Sequence, residues 1–174
     1  MNLLLLPGNS KRNKEWIHSV EEVLKSSFNK TTVHHYNHWE NDNDSVDFEL
    51  EFTKLIQETV DYAPYSIFAK SLGSLLTLRG CAEGMITPHA CMFAGLPLAL
   101  ITSEYIIAQE WLRNIKTPTL IIQNDTDPLG SYEEVSQFVS KLGNNNIKVV
   151  KLPGDTHSYD DMKKLTELSR FLIS

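Results

Sequence analysis

The sequence has little cysteine, no block of basic residues and no long hydrophobic run. Its two cysteines, Cys81 and Cys91, lie in apolar stretches, which favours reduced, buried thiols over a disulfide framework. The formal net charge is -6 without a basic cluster, so we expect no binding to nucleic acid. No apolar run approaches the length of a membrane-spanning helix, so we expect no membrane partner either.

The chain also lacks the pattern of a secretory leader. The apolar run Leu3–Leu6 is shorter than the hydrophobic part of a signal peptide, and no positive side chain precedes it. We therefore expect a cytoplasmic location. The length of 174 residues suits one domain, covering residues 1–174, with a sizeable buried core.

Short apolar runs and helix-spaced patterns alternate along the whole chain. Strands are predicted over 3–6, 31–36, 67–69, 89–94, 119–123 and 147–152, and helices over 12–28, 46–60, 72–81, 103–114, 131–142 and 160–173. Residues 40–45 are predicted to form a polar loop, and residues 96–101 an apolar connection. This alternation predicts an α/β fold, a three-layer sandwich around a mainly parallel sheet of about six strands.

The stretch 65–76 carries the most informative pattern. A strand-like run leads into Ala69-Lys70-Ser71-Leu72-Gly73, and leucines at helical spacing follow. The pentapeptide is one residue away from G-x-S-x-G, the nucleophile elbow, in which a strand turns sharply into a helix and exposes a serine. Small residues on either side of Ser71 permit the close backbone contacts of such a turn. The alternative is that Ser71 is an ordinary helix N-cap.

An acid and a histidine follow later strands in the order that an elbow serine requires. Because active sites of α/β sheets lie beyond the carboxyl ends of the strands, the residues after 119–123 and 147–152 matter most. The acid is Asp125 or Asp127, and Asp127 is favoured because Pro128 rigidifies its turn. Of the six histidines, only His157 lies after both acids.

The residues 5–9, 68–73, 120–128 and 152–157 together resemble the small, lidless, serine-esterase-like α/β hydrolases. The resemblance covers nearly the whole chain and implies an α/β-hydrolase fold without a cap domain. It assigns Ser71 as nucleophile, His157 as general base and Asp127 as the acid that fixes the imidazole tautomer. The oxyanion hole would consist of the backbone N–H groups of Leu72 and Asn9.

The chain departs from the family pattern at three positions. Ala69 replaces the first glycine of the elbow, and Asn124 replaces the glycine of the acid loop, where asparagine also tolerates positive φ. Pro7-Gly8 replaces the common His-Gly of the oxyanion loop. Gly8 is expected to give that loop its conformational freedom and to contact the substrate.

The resemblance implies cleavage of a small ester or thioester through an acyl-enzyme, with no cofactor and no metal. A hydrolase-like binding protein without catalysis, and an acyltransferase, are the alternatives. Trp39 is expected to line the substrate site. Leu96 either forms an acyl-binding wall or packs in the core. His34, His35 and His38 invite a metal-site interpretation, but no cysteine or acidic ligand has matching spacing, so a strand end near the pocket rim is favoured.

Overall fold

A computed structural model describes residues 1–40 and 46–174 of the chain. Six strands form one parallel sheet in the order β2-β1-β3-β4-β5-β6. The strands are β1 (Asn2–Leu6), β2 (Thr31–Val33), β3 (Tyr65–Lys70), β4 (Cys91–Ala94), β5 (Thr119–Asn124) and β6 (Ile147–Leu152). The helices are α1 (Asn13–Leu24), α2 (Phe48–Thr59), α3 (Leu72–Ala82), α4 (Leu98–Ser103), α5 (Ala108–Asn114), α6 (Tyr132–Leu142) and α7 (Met162–Leu168).

Helices cover both faces of the sheet, which explains why its strands are apolar throughout. Alternate residues of β1 point to opposite faces, so Leu3 and Leu5 join one core cluster while Leu4 and Leu6 join the other. One cluster lies beneath α1 and α7, and the other beneath α2, α3, α5 and α6. The predicted three-layer sandwich with a parallel sheet is therefore confirmed. In the described ranges no helix is both long and apolar enough to cross a membrane.

Two predicted elements differ from the structure. The strand predicted over 31–36 ends at Val33, and a short 3-10 helix, Asn37–Trp39, follows it. The helix predicted over 103–114 is replaced by α4 and α5, so that the apolar connection is itself partly helical. Ile106 and Ile107, which belonged to the predicted helix, lie in the turn between α4 and α5 and are exposed. The predicted loop 40–45 falls mostly outside the described residues.

The turn from β3 into α3 depends on a glycine. A Cβ added to Gly73 would lie 2.7 Å from the carbonyl oxygens of both Leu6 and Pro7. The first turn of α3 therefore touches the backbone at the end of β1, and only glycine allows this approach. This contact fixes the serine that precedes α3 against the loop that follows β1.

We expect Gly73→Ala to destabilise the protein by about 1–3 kcal/mol, because two backbone atoms have to shift to accommodate the methyl group. Gly84→Ala is the matched control, since Gly84 follows the other end of α3 and no atom lies within 4 Å of an added Cβ. There only the positive φ is unfavourable, by about 1 kcal/mol. Urea unfolding of both variants tests this difference; equal midpoints would contradict it.

Candidate active site

Ser71 lies at the sharp turn between β3 and α3. Its φ of 51° and ψ of -116° make it the one non-glycine residue with positive φ in the described part of the chain. Such a conformation is strained by about 1–3 kcal/mol, and strain of this kind concentrates at functional sites. The Ser71 N–H donates to the Ala94 carbonyl, while its hydroxyl makes no capping hydrogen bond to α3. The N-cap alternative therefore does not account for this serine.

Asp127 and His157 are brought together by the loops that follow β5 and β6. The Nδ1 of His157 donates to both carboxylate oxygens of Asp127, at 3.0 and 2.8 Å. Asp127 is buried, and it also accepts from the hydroxyl of Tyr159 at 2.7 Å and from the Leu129 N–H at 2.9 Å. The other candidate acid, Asp125, is exposed and pairs with Lys151 instead. The geometry thus selects Asp127 as the partner of the imidazole.

Asn124 performs a different task from the one predicted. It does not have the positive φ of the family glycine, since it belongs to β5. Its side-chain amide donates to the carbonyls of Thr156 and Ser158, at 2.9 and 2.8 Å, on either side of His157. Its backbone N–H donates to the Tyr159 hydroxyl. Asn124 and Tyr159 therefore hold the histidine loop against the acid loop, and the sequence pattern singled out neither of them for this purpose.

The imidazole of His157 lies beside Gly95, at the end of β4. A Cβ on Gly95 would lie 2.8 Å from Cε1 of His157, and the adjacent residue, Ala94, accepts the Ser71 N–H. Ser71 and His157 therefore approach the same strand end. The Nε2 of His157 is buried and has no hydrogen-bond partner among the described residues, Ser71 included. This leaves one ring nitrogen fixed by Asp127 and the other unpaired.

The loop after β1 approaches Ser71 from the other side. A Cβ on Gly8 would lie 3.3 Å from Cβ of Ser71. The Pro7 carbonyl accepts from the Tyr36 hydroxyl at 2.7 Å, and the Asn9 carbonyl accepts from Nε2 of His38 at 2.8 Å. Because peptides are planar, fixing these two carbonyls fixes the peptide planes on both sides of the Asn9 N–H. Leu72 begins α3, so its own N–H has no partner within the helix.

The remaining predicted substrate contacts are buried. Trp39 is 8% exposed, and its indole N–H donates to the Asn9 carbonyl, so it supports the loop after β1 from beneath. Leu96 is completely buried within a core cluster, which agrees with the core-packing alternative. Contact of either side chain with a substrate stays a prediction.

Of the three clustered histidines, His34 is held by two carboxylates and His38 by the Asn9 carbonyl. His34 donates from both ring nitrogens to carboxylates, to Glu58 at 2.6 Å and to Glu51 at 3.1 Å. Burial alone would lower the pKa of His34, but its hydrogen bonds to Glu51 and Glu58 and their negative charges together raise it above 6.5. Glu51 also accepts the Asn37 N–H. This buried ionic cluster therefore anchors the segment that presents Tyr36 and His38 to the loop after β1.

Comparison with known proteins agrees with the fold described above. A family model described as "Alpha/beta hydrolase domain" matches residues 14–170. The putative protein-lysine deacylase ABHD14B of Rattus norvegicus is 33% identical over 92 residues. The aligned region is 49% of this chain and 42% of that protein, so the chain matches less than half of the relative's length.

Solved structures of several hydrolases share the fold over 99% of this chain. Est1E from Butyrivibrio proteoclasticus, solved with ferulic acid, superposes with a TM-score of 0.72 at 18% identity and 89% coverage of its own chain. Mouse alpha/beta hydrolase domain-containing protein 10 gives a TM-score of 0.76 at 14% identity and 89% coverage. A Pyrococcus furiosus esterase gives 0.75 at 17% identity and 82% coverage.

The His34 cluster predicts a pH-dependent stability. A raised pKa means that its stabilisation is fully present below pH 6.5 and is lost as the pH rises through the pKa of folded His34. We expect the melting temperature to fall as the pH rises from 6.5 through the pKa of folded His34. His34→Gln should lose about 3–5 kcal/mol at the lower pH, because it leaves two carboxylates without their partner, and its pH dependence should be flatter.

His18→Gln serves as the matched control for this measurement. His18 also pairs with a glutamate, Glu21, but its side chain is 46% exposed. Its replacement should change the free energy of unfolding by less than about 1 kcal/mol. Equal effects of the two substitutions, or an unchanged pH profile in His34→Gln, would refute the role of the buried cluster.

Proposed function

The chain belongs to the α/β hydrolase family, and we propose that it is an enzyme that cleaves small esters or thioesters as a serine hydrolase. In this proposal Ser71 is the nucleophile, His157 the general base and Asp127 the acid that orients the imidazole. The backbone N–H groups of Leu72 and Asn9 form the oxyanion hole, with Gly8 beside them. The proposal requires no metal and no cofactor.

One observation carries this proposal: the buried Asp127 carboxylate binds Nδ1 of His157 and leaves Nε2 unpaired near the end of β4. A neutral imidazole fixed in this tautomer has its lone pair on Nε2, which is the form that accepts a proton. The strained serine on the neighbouring strand end is the one non-glycine residue with positive φ in residues 1–40 and 46–174, and it lies against Gly8. In free enzymes the serine–histidine hydrogen bond is often long and tightens when substrate binds.

The first chemical step is acylation. The Ser71 hydroxyl attacks the substrate carbonyl carbon while Nε2 of His157 takes its proton. Negative charge then develops on the carbonyl oxygen, where the N–H groups of Leu72 and Asn9 and the N-terminus of α3 stabilise it. Collapse of this intermediate breaks the bond to the alcohol or thiol, which receives the proton from His157.

Deacylation repeats these steps with water. His157 removes a proton from the water molecule as it attacks the acyl carbon, and the same donors stabilise the second oxyanion. The acid is released and the Ser71 hydroxyl is restored. An alcohol or amine acceptor in place of water would make the protein an acyltransferase, and product analysis with added acceptors separates the two reactions.

The open architecture favours small substrates. No inserted cap domain is found in residues 1–40 and 46–174. One groove beside the oxyanion loop is lined by Asn9, Ser10, Lys11, Arg12 and His38. Another, beside the acid loop, is lined largely by α4 and the residues after Asp127. Substrate reaching Ser71 would lie between these grooves.

A second substrate class is supported by similarity. The name of the rat relative describes it as a putative protein-lysine deacylase, whose substrates would be amides of lysine side chains. We therefore propose acyl-lysine peptides as the alternative to esters. Hydrolysis of p-nitrophenyl esters of graded chain length, measured beside hydrolysis of acetyl-lysine and longer acyl-lysine peptides, ranks the two classes.

A fluorophosphonate probe should label wild-type protein at Ser71, because an activated serine displaces its fluoride and becomes phosphonylated. Ser71→Ala should abolish labelling and ester hydrolysis. Ser74→Ala is the control: Ser74 lies one turn further along α3, and its buried hydroxyl has no hydrogen-bond partner in the part of the chain that the structure describes. Its replacement should leave labelling intact. Absence of labelling in folded wild type, with no hydrolysis of either class, would favour the binding-protein alternative.

Two neighbouring aspartates provide a matched test of the acid. Asp127→Asn should lower kcat by a factor of about 10⁴, because an amide no longer holds the imidazole in the required tautomer. Asp125→Asn should retain near wild-type activity, since Asp125 is exposed and pairs with Lys151 at 2.7 Å. Comparable losses in the two variants would argue against the assignment of Asp127.

A further inference from the structure

Asn13 places a side-chain amide beside the proposed oxyanion hole. It is the first residue of α1 and is buried, although amides usually lie at the surface. The Cβ position of Gly8 lies 3.0 Å from Nδ2 of Asn13 and 3.3 Å from Cβ of Ser71. The amide nitrogen of Asn13 and Cβ of Ser71 thus both lie close to Gly8 in the loop after β1. Neither the sequence pattern nor the family resemblance pointed to Asn13.

Lys70 determines which end of this amide faces the serine. The Nζ of Lys70 donates to Oδ1 of Asn13 at 2.9 Å, and the ammonium group lies 5.3 Å from the centre of the Trp16 ring. An ammonium group has only hydrogens to donate, so the amide oxygen must face Lys70. The NH₂ group then points away from Lys70, toward Gly8. No hydrogen bond to Nδ2 is found within the described residues, which leaves its hydrogens available.

We propose that the side-chain amide of Asn13 donates a hydrogen bond to the oxyanion, as a third donor besides the N–H groups of Leu72 and Asn9. This inference rests on the proposed serine-hydrolase function of the same site. Lys70 then acts as a positioning residue, since it touches Asn13 and not the substrate. Its position directly before Ser71 in β3 couples the orientation of the amide to the elbow itself.

The burial of Lys70 is consistent with a role in orienting the Asn13 amide. Its side chain is 6% exposed at the end of β3, where a charged group is unfavourable unless it has partners. The amide oxygen of Asn13 and the Trp16 ring are its partners in the structure. Burial lowers the pKa of Lys70 to about 8, against the opposing influence of the negative charges of Asp127 and Asp160. The charge on Lys70 is therefore present at neutral pH and decreases in mildly alkaline solution.

The first test removes the amide donor of Asn13 without changing the shape of the side chain. Asn13→Asp is isosteric and still accepts from Lys70, but it puts an oxygen where the NH₂ group was. We expect kcat for a p-nitrophenyl ester to fall by a factor of about 10²–10³ with KM little changed, as for loss of one oxyanion-hole donor. Asn13→Ala removes the donor without adding charge and should give a loss of the same order. Asn145→Asp, at an exposed asparagine before β6, is the control for added charge and should have wild-type kcat.

A second readout separates catalysis from a merely structural role. A trifluoromethyl ketone forms a tetrahedral oxyanion with an active serine, whereas the corresponding alcohol binds without forming one. The Asn13 variants should bind the ketone more weakly by the same factor as the loss in kcat, and should bind the alcohol as wild type does. Equal weakening of both ligands, or unchanged kcat in both variants, would overturn the proposal.

Failure of this inference is distinguishable from failure of the proposed function. If wild-type protein is labelled by the fluorophosphonate and Ser71→Ala is not, but the Asn13 variants hydrolyse esters at the wild-type rate, then only the third donor is rejected. If wild type itself is neither labelled nor active, the serine-hydrolase function is rejected together with the inference.

Lys70→Met tests the positioning role through the pH profile. The unbranched apolar side chain keeps most of the buried stem but cannot donate, so the amide is no longer held in one orientation. We expect a loss of about tenfold in kcat, of the order of one hydrogen bond. Wild type should in addition lose activity above about pH 8, as Lys70 loses its proton, and the variant should lack this alkaline decline. An identical alkaline limb in both proteins would contradict the role of Lys70.

Discussion

The candidate site depends on the hydrogen bonds that converge on one buried carboxylate. Asp127 accepts from an imidazole, a phenol and a backbone N–H, so the loops after β5 and β6 are joined at a single group. A carboxylate out of water is strongly unfavourable unless it is hydrogen-bonded, and here each partner comes from a residue whose own position is set by a neighbouring contact. Tyr159, for example, donates to Asp127 while accepting from the backbone of Asn124. The imidazole orientation is thus a consequence of the way two strand ends are tied together.

A second network of hydrogen bonds holds the loop after β1, which approaches Ser71 from the other side. Side chains that follow β2 donate to the carbonyls of the loop after β1, and the ionic cluster of His34 with two glutamates ties that segment to α2. The close contact of Gly73 with the end of β1 also fixes the elbow against this loop. Preorganised donors stabilise a developing charge best when they do not have to reorient. Rigid support from packed elements is therefore the physical link between this fold and the proposed chemistry.

Much of the fold was predictable because it depends on local patterns. Runs such as Leu3–Leu6 are apolar on both faces, which occurs when helices cover a parallel sheet from both sides. Helix limits were predictable where capping residues mark them: Ser131 and Glu134 form a capping box, and Gly143 ends α6 with a φ of 69°. The helix predicted over 103–114 was wrong because its spacing could not show that Ile106 and Ile107 lie in an exposed turn. The strand after β1 was predicted too long, because β-branched and aromatic residues there serve packing rather than pairing.

The sequence by itself determined the order of strands and helices, the sharp turn at which Ser71 lies, and the short set of acids and histidines that follow strand ends. It could do so because these features arise from side-chain periodicity and from residues only a few positions apart. Only the tertiary structure placed Asp127, which the sequence had favoured over Asp125, in contact with His157. It also turned Asn124 from a supposed glycine substitute into a clamp on the histidine loop, and it brought Asn13 beside Lys70 at the elbow. Those contacts join residues that are distant along the chain. Their hydrogen-bond directions follow from which groups the packed sheet places face to face, and no local pattern encodes that arrangement.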